Sequence, residues 1–92
     1  MSDVEHYIEK RKKQNPQFAK DYESGYQTFE FNLMLREARE RAGVTQESIA
    51  KKLRTKKSAI SRIENHSEDI RLSTLHKYAK ALGMRLRVQI TE

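Results

Sequence analysis

The stretch from Val44 to Asn65 constrains this chain most, because it carries two short apolar repeats in quick succession with a polar break between them. Ile49, Ala50 and Leu53 recur on one helical face, Arg54, Thr55 and Lys56 interrupt the period, and Ala59, Ile60 and Ile63 resume it. Thr45 has the hydroxyl to cap the first helix, and Val44 before it can close on Ile49 as a hydrophobic staple. Two short helices joined across roughly three to four residues form a helix-turn-helix.

Burying Ala59, Ile60 and Ile63 leaves Lys57, Ser58, Ser61 and Arg62 on the outer face of the second helix. From Lys51 to Arg62 there are six basic residues and no acidic one. An isolated run of this kind is ordinarily a solvated face. Here it coincides with the turn and with the exposed side of a helix, and Lys, Arg and Ser are the residue types that meet phosphates and base edges in the major groove. Lys56, Lys57, Ser58, Ser61 and Arg62 are therefore the expected contacts to double-stranded operator DNA.

Leu35-Arg36-Glu37-Ala38-Arg39, Ala42-Gly43-Val44-Thr45-Gln46-Glu47, Ser58 to Asn65, Leu72-Ser73-Thr74-Leu75 and Ala79 to Gly83 together resemble the XRE family of lambda-repressor-like DNA-binding domains over about Phe31 to Gly83. The resemblance implies that Gln46, at the start of the first motif helix, holds a phosphate. Where the family usually has a glycine in the turn, this chain has Arg54, which at positive φ costs about 1–2 kcal/mol. That departure leaves open whether Thr55 or Lys56 begins the recognition helix. The short length, the N-terminal arm with Pro16, Phe18 and Tyr22, and the tail after Gly83 look most like HigA-type antitoxins of type II toxin–antitoxin pairs. That likeness implies a RelE/HigB-like toxin, a ribosome-dependent endoribonuclease, as a partner neutralised by being covered.

Charge divides the chain. Residues 1–42 hold eight Lys/Arg and eight Asp/Glu, whereas 43–92 hold eleven and five, so the whole excess of +6 lies in the second part. One part is suited to a polyanion and the other to something else. No basic stretch carries the apolar face of an interfacial helix, no run is long enough for a membrane span, and the lack of cysteine fits a reducing compartment; a cytoplasmic protein is expected. His6, His66 and His76 lie far apart without a second ligand at metal-binding spacing, and the three glycines form no phosphate loop. No metal, no cofactor and no enzymatic activity are expected.

The fold expected is mainly α, a lambda-repressor-like domain over 28–92 with a helical arm over 1–27 and a C-terminal β-strand over 84–91. In the arm, Ser2 and Glu5 have the form of a capping box, and Asn15-Pro16 ends one helix and starts another. Phe18, Tyr22 and Tyr26 then recur at four-residue intervals. Such a stripe either extends the core, on Phe29 or Leu33, or meets a partner; Tyr7, Ile8, Phe18 and Tyr22 are the expected toxin anchors. Thr28 can cap a further helix that buries Phe31, Leu35, Ala38 and Ala42 and leaves Arg36 and Arg39 outside, with Gly43 as its stop. Leu72, Leu75, Ala79 and Leu82 predict a last helix capped by Ser73, with Tyr78 at its edge and Gly83 closing it. Met84, Leu86, Val88 and Ile90 alternate with polar residues, the pattern of a strand with one apolar face. A lone strand must pair, and its own copy in a homodimer is the nearest candidate, against pairing with the arm. Besides an antitoxin that represses its own operator, a stand-alone repressor without a toxin and an RNA-binding adaptor remain as readings.

Overall fold

The computed structural model describes residues 3–92, except for the side chain of Phe18. Five helices follow in order, α1 Asp3–Gln14, α2 Pro16–Arg41, α3 Gln46–Lys52, α4 Lys57–Asn65 and α5 Leu72–Ala81, with a 3-10 turn, Ser67–Asp69, between the last two. Three of these helices stop in the same way. After α2, Gly43 N–H donates to Glu40 and Val44 N–H to Arg39; after α5, Gly83 donates to Lys80 and Met84 to Ala79. Both glycines are left-handed, at φ 71° and 73°. The same pair of bonds closes α3, from Arg54 to Lys51 and from Thr55 to Ala50, but with Arg54 at φ 55° in the glycine's place. All three are Schellman turns, which satisfy helix-end carbonyls by letting one residue enter the left-handed region.

The core lies where α2, α3, α4 and α5 meet. Leu35, Ile49, Ala50, Ile60, Ile63, Leu75, Tyr78 and Ala81 form one buried cluster, with Phe31, Val44, Leu53, Ile70, Leu82 and Leu86 packed against it. α3 and α4 contribute the faces that their apolar periods predict, through Ile49, Ala50, Ile60 and Ile63. Thr45 caps α3 by accepting from Ser48 N–H at 3.1 Å, and Val44 and Ile49 both join the core, as the staple requires.

Several expectations are corrected. Thr28 does not cap a new helix: α2 runs unbroken through it for 26 residues, and the Thr28 hydroxyl donates back to the Ser24 carbonyl at 3.1 Å. A threonine inside a helix satisfies its hydroxyl on the preceding turn, so a capping residue type need not mark a boundary. Arg71, not Ser73, occupies the cap position of α5, and Leu72 is 52% exposed. Tyr78 is not at an edge but fully buried. No C-terminal β-strand forms among the described residues, and 84–92 has no regular secondary structure. The arm is helical and offers no edge for a ladder, while Met84 and Leu86 turn partly inward. The proposed capping box at Ser2 lies outside the described residues.

Asn15 and Pro16 act as expected: the Asn15 side chain accepts from Gln17 N–H at 3.1 Å and Pro16 opens α2. α1 folds back on the first part of α2, where Lys12 pairs with Glu23 and its ammonium lies 4.4 Å from the centre of the Tyr22 ring. α1 itself buries no residue.

Candidate nucleic-acid interface

The recognition helix is held from behind by a buried carboxylate. Glu64 is wholly buried, and both its oxygens are used. Arg39 Nε donates to Oε2 at 2.7 Å and its Nη2 to Oε1 at 3.3 Å; Gln46 Nε2 donates to Oε1 at 3.1 Å, and the Tyr78 hydroxyl to Oε2 at 2.7 Å. Arg39 Nη1 also reaches the Val44 carbonyl at 3.0 Å. Helices α2, α3, α4 and α5 are thus tied to one another through one carboxylate. Burial pushes the Glu64 carboxyl up, yet the bonds from Arg39, Tyr78 and Gln46 outweigh it and hold the group below its ordinary value. The bond to Glu64 raises Arg39 in turn, and burial with the adjacent carboxylate pushes the Tyr78 phenol well up.

A second clamp grips the far end of α4. Asn65 Nδ2 donates to the Ser61 carbonyl at 2.8 Å, and Arg36 Nη2 donates to Asn65 Oδ1 at 2.7 Å. Asn32 Nδ2 donates to the Asn65 carbonyl at 3.0 Å, while Asn32 Oδ1 accepts from the backbone and hydroxyl of Ser67. Two α2 side chains and the 3-10 turn therefore fix where the recognition helix ends.

What this scaffold presents is cationic. Lys57 is the first helical residue of α4 and Lys56 its cap, so neither of the two starts weighed from the sequence holds. Lys56 makes no side-chain capping bond, and no acid stands in the first turn. Lysines at this end oppose the helix dipole, which costs stability unless an anion arrives; unspent N–H groups and positive charge together make a phosphate-binding end. Lys56, Lys57, Ser58 and Arg62 are all exposed, and Arg62 stands one turn along the same face. Ser61 is half-buried, its Oγ accepting from Asn65 Nδ2 at 3.2 Å and its hydroxyl proton still able to donate outward.

Gln46 opens α3 and is half-buried. One of its amide protons is committed to Glu64, which leaves its carbonyl and second N–H for a phosphate. Lys52, on the same basic run, is spent internally: its ammonium donates to the Ala81 carbonyl at 3.0 Å at the end of α5. The sequence missed both clamps, because Arg36 and Arg39 fall at the margin of the α2 apolar face and read as solvent-facing. The one available signal was Arg39 at four residues from Leu35, close enough to the core side to reach a buried acid.

A short helix, a tight turn and a cationic second helix braced from behind define a helix-turn-helix DNA-binding domain. The Helix-turn-helix family model matches residues 35–89, more than half of the chain, and the chain belongs to this family of XRE-type DNA-binding regulators. Comparison with curated proteins and with solved structures returned no match. No helix of the described residues is long and apolar enough to cross a membrane. The described residues hold no cluster of His, Cys, Asp and Glu able to bind a metal.

Proposed function

We propose that this regulator is the antitoxin of a type II pair, reading its own operator through α4 as a homodimer and covering a RelE/HigB-like toxin with its N-terminal arm. The observation that carries the DNA half is the uncompensated cationic start of α4, with Lys56, Lys57, Ser58, Ser61 and Arg62 brought to one surface. Gln46 at the start of α3 adds a phosphate contact. In a docked domain of this kind the start of the recognition helix enters the major groove, and Arg62 one turn along is placed for a base edge.

The antitoxin half rests on the arm. α1 contributes nothing to the core, and Tyr7 is 60% exposed; Ile8 and Tyr22 are half-buried along the α1–α2 contact. α1, held only against the first part of α2, is suited to being remodelled on a partner. The side chain of Phe18, the fourth anchor, lies outside the described residues. Dimerisation is assigned to Met84, Leu86, Val88 and Ile90. The stand-alone repressor shares the DNA half of this reading and lacks the arm's partner.

The test of DNA recognition compares two substitutions on the basic face. Arg62→Ala lowers the preference for operator over unrelated duplex by about 1–3 kcal/mol. Lys51→Ala weakens both alike and reduces the salt slope by about one. An Arg62→Ala protein that loses specific and non-specific affinity equally removes the base-reading role.

A further inference from the structure

Because α2 is continuous, it carries two apolar faces on opposite sides. Phe31, Leu35 and Ala38 face the core, whereas Tyr22, Tyr26, Phe29 and Leu33 follow one another at intervals of four, three and four along the other side. That is the spacing of a coiled-coil seam. α1 covers only its beginning, and Tyr26, Phe29 and Leu33 remain 50%, 61% and 39% exposed. A groove of about 210 Å³ runs beside Phe29 and Leu33 and ends at Asn32, Arg36 and Asn65.

Charge along the seam decides what fits it. With Tyr22 and Phe29 at heptad position d, and Tyr26 and Leu33 at a, Glu23, Glu30 and Glu37 all fall at e, while Gly25 and Asn32 fall at g. A second copy laid parallel sets these glutamates against glycine and asparagine, with no attraction; laid antiparallel, it sets glutamate against glutamate. Self-pairing is therefore disfavoured. The chain itself shows what the rail accepts: at its first step Lys12 of α1 pairs with Glu23 and lies over the Tyr22 ring. Seven residues on, Phe29 with Glu30 repeats that pairing of ring and carboxylate beyond the end that Lys12 occupies, and Glu37 continues the acidic flank past Leu33.

We propose that the outer seam of α2, Tyr26, Phe29 and Leu33 flanked by Glu30 and Glu37, is a docking surface for a cationic amphipathic helix of a partner protein. The proposal rests on the reading that this chain takes a protein partner, and not on that partner being a toxin. The docked helix lays apolar residues between those of the seam and places Lys or Arg against each glutamate, as Lys12 does.

The test uses the full chain and two synthetic peptides of about three heptads with leucine at a and d, one with lysine and one with glutamine at e and g. Followed by fluorescence anisotropy at low salt, the lysine peptide is expected to bind about tenfold more tightly than the glutamine peptide, although the protein carries net positive charge. The double substitution Phe29→Ser, Leu33→Ser abolishes binding of both peptides with the thermal melt retained. Glu30→Lys with Glu37→Lys removes only the preference for lysine. Lysine-peptide binding that survives loss of Phe29 and Leu33, or equal affinity for the two peptides, overturns the proposal. So does wild-type self-association by sedimentation that Leu33→Ser abolishes, which gives the seam to a second copy. Loss of toxin neutralisation elsewhere in the arm leaves these outcomes unaffected, so the two readings fail separately.

Discussion

Arg54 stands at φ 55° in a turn whose two counterparts in the same chain are glycines. A side chain at that angle crowds the following carbonyl, and no packing of Arg54, which is exposed, repays the strain. Arg54→Gly is expected to stabilise the fold by about 1 kcal/mol, the relieved strain exceeding the entropy that glycine adds to the unfolded chain. For a domain of this size that raises the melting temperature by about 4–8 °C, read by calorimetry. Glu64 is the opposite case. Glu64→Ala leaves Arg39 Nε and Nη2 without their carboxylate in the interior, while the Tyr78 hydroxyl keeps only the Leu35 carbonyl at 3.1 Å, and a loss of about 3–5 kcal/mol in denaturant titration is expected. The folded carboxyl titrates below its ordinary 4.5, so its contribution is fully present above that pH and disappears as pH falls through the folded value. Wild type therefore loses stability faster than Glu64→Gln on acidification, and parallel curves for the two would remove the network's role. The bound Arg39 and Tyr78 were not legible from periodicity, since a buried ion pair follows from which helices meet and not from the face one helix shows. Thr45 and both glycine stops were legible, because capping is local.

At the scale of elements, α2 is where sequence pattern and structure part. Gly25 has low helix propensity and Thr28 is a capping residue type, so both mark a place where a helix breaks easily, yet 26 residues run as one helix. Anchoring of the second half by Phe31 and Leu35, and the α1 contact on the first half, both favour helix, and the Thr28 hydroxyl bonds back into the helix rather than capping a new one. Local propensity near one glycine amounts to about 1 kcal/mol and is outweighed by that packing. Cutting the chain at 28 still leaves every α2 side chain that reaches the core and both clamps, Asn32, Leu35, Arg36 and Arg39 among them. The fragment 28–92 is therefore expected to melt cooperatively and bind operator while failing to rescue growth against the toxin. Full rescue by the fragment would put the toxin interface on the globular part; a non-cooperative melt would mean that the arm completes the core. The motif helices themselves were legible in outline, and what the sequence could not resolve was the start of α4, because its cap lacks any side-chain bond.

The described residues span 47 Å in the longest direction and present one recognition helix, the equipment for one half-site. Two such motifs about one helical turn of DNA apart need a two-fold interface to fix their spacing. The alternation of Met84, Leu86, Val88 and Ile90 predicts a strand, but the single chain splits these four residues: Leu86 packs on the core and Met84 is half-buried, whereas Val88 and Ile90 are 64% and 98% exposed. A strand is a property of a pair, so its pattern can be present in one chain while its ladder is not. In the proposed homodimer, Val88 and Ile90 are the large apolar side chains left at this end for a second copy, and removing them spares what the core uses. Truncation after Arg87 is therefore expected to leave the melting temperature of the domain nearly unchanged while converting dimers to monomers in sedimentation equilibrium. Operator binding should fall with it, and the salt slope should drop to about half, since each motif then neutralises only its own phosphates. A truncated protein that remains dimeric would move the two-fold interface elsewhere on the domain; one that becomes monomeric with operator affinity and salt slope unchanged would mean that a single motif is the DNA-binding unit.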